Sequence, residues 1–162
     1  MKILLTKQAE KALNYFNKAQ EIALKSSCLR SRCGCIIVKD SEIIGQGYNS
    51  PPKDIILTSC RKDNLPDNFK SDRTCCVHAE QRAIMDALKN NSKKIIGSSL
   101  YFIRIDEKGE KTFSGDPYCT ICSKMALDVG IFEFILFREQ GICVYDTEEY
   151  NNLSFEYQED NN

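Results

Sequence analysis

The sequence predicts an α/β protein built on one mixed sheet of about five strands held between helical layers. Three observations carry that expectation. Segments with helical and strand periodicity follow one another in the order α-β-β-α-β-α-β-β. Ile131–Phe137 is almost continuously apolar, as a strand covered on both faces is. No internal repeat and no linker divides the chain. Residues 1–155 therefore read as one domain large enough to bury a core, followed by a loosely held acidic tail over 156–162.

Each element has its own signal. Thr6 is placed to cap a helix over about Lys7–Lys25, where Ala9, Ala12, Leu13, Phe16, Ala19 and Ala23 recur at helical spacing. After a loop at Ser26–Arg32, Cys35–Asp40 reads as a buried strand. Ile43–Tyr48 is its antiparallel partner, joined by a turn at Asp40-Ser41-Glu42. Gly45 and Gly47 weaken that partner but admit close approach by a ligand or a neighbouring backbone. Lys53–Thr74 is the least regular stretch, of a length suited to a lid, a metal-tied loop or a mobile segment. A helix over about His78–Asn90 and a strand over Ser99–Asp106 come next, then a turn at Glu107–Glu110. A helix over Cys119–Val129 ends at Gly130, a good left-handed terminator. The strand Ile131–Phe137, a short strand Ile142–Tyr145 and a terminal helical turn at Thr147–Asn152 complete the chain.

Composition narrows the functional class. The apolar fraction of 42% and charged fraction of 28% are ordinary for a soluble globular protein. A net charge of −1 argues against long-range attraction to nucleic acid. The opening Met1–Thr6 carries too short an apolar run for a signal peptide, and no run is long enough to span a membrane. A soluble cytoplasmic protein is the expectation. Nine cysteines in a chain with long periodic segments and no export signal point to reduced thiols, some of them on metal, rather than disulfides.

Two motifs carry the chemistry. Cys75-Cys76-Val77-His78-Ala79-Glu80-Gln81 holds the only histidine of the chain, with a glutamate two residues on. Asp116-Pro117-Tyr118-Cys119-Thr120-Ile121-Cys122 holds a Cys-x-x-Cys at a helix start. One imidazole and two thiolates make three protein ligands, the number a catalytic zinc takes when its fourth position stays open for water. Glu80 is then the proton carrier beside that water, without being a ligand. Helix N-termini suit both segments, because the positive helix end lowers thiol pKa. The plainer alternative is a core histidine, two buried thiols and a first-turn carboxylate.

His-Ala-Glu followed by a Pro-linked Cys-x-x-Cys resembles the zinc-dependent cytidine/deoxycytidylate deaminase superfamily, over about Arg30–Asp146. The resemblance implies the three-layer α/β/α cytidine deaminase-like fold, with His78, Cys119 and Cys122 on zinc and Glu80 moving protons between water, the ring nitrogen and the leaving amine. It also implies Asn49 hydrogen-bonding the substrate's sugar or base, and the Ala79 backbone carbonyl meeting the exocyclic amine. For Asn49 a turn role is the alternative. Within the superfamily the chain looks closest to the deoxycytidylate deaminases, which convert dCMP to dUMP and ammonia. A base deaminase acting on tRNA or other nucleic acid is the second reading. A zinc-binding subunit without turnover is the third. A homo-oligomer is implied by the resemblance alone. Two departures stand out: Tyr118 separates Pro117 from Cys119, and Asp106–Asp116 reads as an extra hairpin or loop.

The remaining cysteines raise a second metal. Some deoxycytidylate deaminases carry a structural zinc ahead of His-Ala-Glu, and Cys60 and Cys75, joined by Cys28 and Cys33, resemble such a set, with reduced structural thiols as the alternative. Arg30, Arg32, Arg61 and Arg73 are either phosphate-binding cations or solvated surface arginines.

Overall fold

The computed structural model describes residues 1–66 and 75–157; Arg73 lies outside them. Its elements are β1 (Lys2–Ile3), α1 (Thr6–Ala23), β2 (Arg32–Lys39), β3 (Glu42–Tyr48), α2 (Ala79–Asn91), β4 (Ser99–Ile105), β5 (Lys111–Thr112), α3 (Thr120–Asp128), β6 (Glu133–Arg138), β7 (Gly141–Asp146) and α4 (Thr147–Glu156). Among the described residues seven strands form one mixed sheet in the order β1-β7-β6-β4-β2-β3, with β5 pairing β4. Five of them are the strands expected from sequence. The other two, β1 on β7 and β5 on β4, are two-residue strands, too short to carry a period of two. Among the described residues no helix is long and apolar enough to cross a membrane.

Alternation along the strands builds a core on each face of the sheet. Ile36, Val38, Tyr101, Ile103, Ile135 and Val144 face α1, where they meet Ala12, Phe16, Ala19 and Ala23. Their neighbours Cys35, Ile37, Leu100, Phe134 and Leu136 face the opposite way, towards Ala83, Ile84, Ala87 and Ala126 of α2 and α3. Phe134-Ile135-Leu136 is thus continuously apolar because both of its faces are covered, as expected. On the α4 side Tyr150 stacks on Phe134, ring centroids 3.8 Å apart.

Several boundaries differ from the sequence reading. Thr6 begins α1 instead of capping it; Leu5 holds the N-cap position and makes no side-chain cap bond. The expected terminal turn is a ten-residue helix, capped by Asp146, whose side chain accepts from the Glu148 and Glu149 N–H groups. Glu156 closes that helix and Tyr157 packs against Tyr118, so the first two positions of the expected loose tail are ordered. The β2–β3 turn is a two-residue one with φ of 50° at Asp40 and 69° at Ser41, the left-handed pair that matches strand twist.

Glycines let the helices sit on the sheet. A Cβ on Gly34 would stand 2.1 Å from the Ala19 carbonyl of α1, and one on Gly47 would stand 2.4 Å from the Ala79 carbonyl of α2. The neighbouring atoms are backbone, which cannot swing away. Gly34→Ala is therefore expected to cost about 1–3 kcal/mol and to lower Tm by about 3–10 °C, read by thermal circular dichroism. An unchanged melting curve would show that α1 is not seated as closely as described.

Topology decides where the chemistry sits. β4 and β6 are parallel, while β3 and β4 each run antiparallel to β2, so β3, β4 and β6 share one direction. α2 follows β3 and α3 follows β4, which places both helix N-termini beyond the carboxyl ends of these strands. That edge is where open α/β sheets bind ligands.

Candidate active site

His78 is the N-cap residue of α2 and Cys119 that of α3. His78 is fixed in place by its backbone N–H, which donates to Gln81 Oε1 at 2.9 Å. Its Nδ1 lies 3.2 Å from Cys122 Sγ and 3.4 Å from Cys119 Sγ. All three donor atoms fall within 4.8 Å of one another. A tetrahedral zinc with ordinary Zn–N and Zn–S bonds separates such donors by roughly 3.5 Å, so the trio fits that ion. Cys119 is 3% exposed and Cys122 is fully buried. Hydrogen bonding from the Cys122 thiol, and then from His78, holds Cys119 down at about 4, while Cys122 is pushed well above the ordinary thiol range. His78 is raised, chiefly by its bond with Cys119. Cys119 is thus the thiol of the pair that gives up its proton more readily, and the thiolate is the form that binds metal.

Glu80 occupies the first turn of α2 at 6% exposure, and burial raises its carboxyl above the usual range. It lines a cavity of about 270 Å³ together with His78, Ala79, Asn49, Phe102, Arg104 and Tyr118. Ala79 is at the wall, with its carbonyl oxygen against β3 at Gly47. Asn49 ties the loop before β2: its Oδ1 accepts from Cys33 N at 2.7 Å and from Ser26 Oγ at 2.8 Å, and its Nδ2 donates to Ser31 O at 2.7 Å. One Nδ2–H then remains for a ligand. Tyr118 forms part of the wall, with its ring 5.7 Å from that of Tyr157.

The second cysteine group assembles differently from the expected set. Cys60 Sγ lies 3.9 Å from Cys75 Sγ, which lies 3.9 Å from Cys76 Sγ. A bond with Cys76 lowers the Cys28 thiol to about 5. These four run in a row beside the cavity, and Cys33 reaches the cavity lining separately from β2, where it bonds Ser31. Cys76 thus stands where Cys33 was expected. Strand alternation accounts for it: Cys33 shares the core-facing side of β2 with Cys35.

Of the arginines singled out in the sequence, Arg30 reaches the cavity rim but is paired with Asp63 at 2.6 Å. Arg32 donates to the Asp106 and Glu107 carbonyls at 2.6 and 3.0 Å and so anchors the 106–110 turn. Arg61 is not among the residues lining the cavity. The cavity gains a cation that sequence reasoning passed over, Arg104 of β4. A lone charge within the apolar run Leu100-Tyr101-Phe102-Ile103-Arg104-Ile105 was the available signal.

Comparison with known proteins agrees with this geometry. A family model for the cytidine and deoxycytidylate deaminase zinc-binding region matches residues 9–138. The deoxycytidylate deaminase of Saccharomyces cerevisiae is 36% identical over 80 residues, covering 46% of this chain and 25% of the yeast protein. That of Mycobacterium phage D29 is 29% identical over 129 residues, covering 75% and 89% respectively. The crystal structure of the cyanophage S-TIM5 dCMP deaminase in complex with dCMP and dUMP aligns with a TM-score of 0.56 at 25% identity, covering 81% of this chain and 82% of that one. The chain spans about a quarter of the length of the yeast relatives it matches. With a family model matched over most of its length, a mixed sheet of the same fold and a His-Cys-Cys donor set at the shared sheet edge, the chain belongs to the cytidine and deoxycytidylate deaminase family.

Proposed function

We propose that residues 1–155 act as one deaminase domain that hydrolyses deoxycytidylate to dUMP and ammonia. The observation that carries this reading is the convergence of His78, Cys119 and Cys122 within 4.8 Å, with buried Glu80 in the cavity beside them. Zinc held by that trio would supply the Lewis acidity that makes water a nucleophile at neutral pH. The proton movements fall to Glu80. Its carboxylate takes a proton from the attacking water and delivers it to N3 of the base. It then carries the second proton to the departing amine, which leaves as ammonia while C4 becomes a carbonyl. The Asn49 Nδ2–H is free to hold the sugar, and Phe102 and Tyr118 wall the base away from bulk water.

Deoxycytidylate as the substrate draws support from the deaminase relatives in yeast and phage and from the dCMP- and dUMP-bound S-TIM5 structure. A subunit without turnover would have no use for a carboxylate buried at this point. Ammonia release over a panel of deoxycytidylate, cytidylate, deoxycytidine, cytidine and a tRNA transcript tests the assignment. Deoxycytidylate turnover is the expected result, and activity confined to the transcript would move the substrate to RNA.

A second, structural zinc is supported by the thiol row Cys60–Cys75–Cys76–Cys28. The two 3.9 Å spacings each match the roughly 3.8 Å between sulfurs of a tetrahedral thiolate site, and binding would draw the ends of the row together, since among the described residues only the His-Cys-Cys trio lies within mutual ligand distance. Such an ion would pin the Cys75-Cys76 segment that leads into His78. Wild-type protein is then expected to carry about two zinc equivalents, and Cys60→Ser about one together with a lower Tm. Equal metal content in the two proteins, measured by plasma mass spectrometry, would refute the second site.

A further inference from the structure

Arg104 is placed by the part of the chain that departs most from the resemblance. β4 runs on into the 106–116 hairpin, and Arg104 pairs across to Thr112 of β5. Its residue position alternates with Leu100 and Phe102, so it faces the side of the sheet that carries α2 and α3. There it lines the cavity shared by His78 and Glu80, with its guanidinium carbon 6.0 Å from the centre of the Tyr118 ring.

Arg104 differs from the other arginine at this cavity, Arg30, in having no ion-pair partner among the described residues. Arg30 is paired with Asp63, Arg82 with Asp54, and Arg138 with Asp116, while Arg32 binds two carbonyls. Among the described residues Arg104 makes no ion pair, and its Nε is buried without a hydrogen-bond partner. Leaving a buried donor unpaired costs about 1–3 kcal/mol, more for a charged group. A planar fork of donors held against an aromatic ring inside a cavity matches a phosphate group in geometry and charge. Arg104 shares the cavity lining with the Glu80 carboxylate and so offsets its charge towards an entering phosphate dianion.

We propose that Arg104 binds the phosphate monoester of the substrate and thereby makes the site select the nucleotide over the nucleoside. This rests on the deaminase reading for its chemistry but not for its test. In the zinc-loaded protein, Arg104→Gln is expected to lower kcat/KM for deoxycytidylate by about 10- to 100-fold. The loss for deoxycytidine stays within about threefold, and Arg104→Lys recovers part of the nucleotide activity. Calorimetric titration provides the arm that needs no turnover: dUMP affinity falls by a similar factor in Arg104→Gln, while deoxyuridine affinity does not. Equal losses for nucleotide and nucleoside would overturn the proposal in favour of a base contact or a wall-supporting role, as would no loss at all. If the wild type turns over neither compound, the deaminase reading fails. The dUMP titration then judges Arg104 alone, and wild-type protein that does not bind dUMP overturns the phosphate role too.

Discussion

Glu80→Gln is expected to lower kcat for deoxycytidylate by about 10³- to 10⁴-fold, the upper range for loss of a positioned proton carrier. The replacement is close to isosteric, so helix α2 keeps its seat on β3 and the zinc ligands keep their spacing. Metal content should therefore match the wild type. Stability should hold or rise slightly, because a neutral amide in this buried position avoids the desolvation cost of a carboxylate. KM should move far less than kcat, since the carboxamide still fills the space while holding no exchangeable acid. Turnover within tenfold of wild type in a zinc-replete variant would remove Glu80 from the mechanism. Loss of zinc alongside activity would show instead that Glu80 supports the metal site.

Cys122→Ser should be still more severe, because it removes the metal as well as the chemistry. The side chain is fully buried between Cys119 and His78, and a serine hydroxyl is a far poorer zinc ligand than a thiolate. Activity is expected to fall to the uncatalysed background, zinc content to drop by about one equivalent, and Tm to fall because the ion stabilises only the folded chain. Cys143→Ser is the control: Cys143 is equally buried in β7 but stands apart from the His-Cys-Cys trio, so zinc and activity should survive. Equal zinc in Cys122→Ser and wild type would displace this residue from the ligand set.

The legible parts of the molecule were those specified by neighbours in sequence. His78-Ala79-Glu80 and Cys119-x-x-Cys122 each sit within one helical turn, so local spacing alone foretold their placement at helix starts. The longer strands were readable as apolar runs between turn signals, because β2 and β6 are covered on both faces. What escaped depends on contacts between distant segments. β1 and β5 exist only because β7 and β4 offer edges to pair with. That Cys75 and Cys76 meet Cys60 is a contact between segments at least 15 residues apart, which no local pattern records. The three side-chain hydrogen bonds by which Asn49 holds the loop before β2 were likewise not legible, because their partners lie 16–23 residues away in the chain.

The donor trio draws its members from two helices separated by β4 and the 106–116 hairpin, so His78 stands 41 residues from Cys119. A ribbon of adjacent cysteines can seize an ion while the chain is still unstructured; this constellation cannot. Both helices must first dock on the same face, which requires β2, β3 and β4 to be in register and the parallel β6 to have closed the crossover. The complete donor set therefore exists only in a chain whose sheet has formed. Zinc held by all three donors would then be a reporter of the assembled sheet, and its binding energy would add to the stability of the folded chain alone.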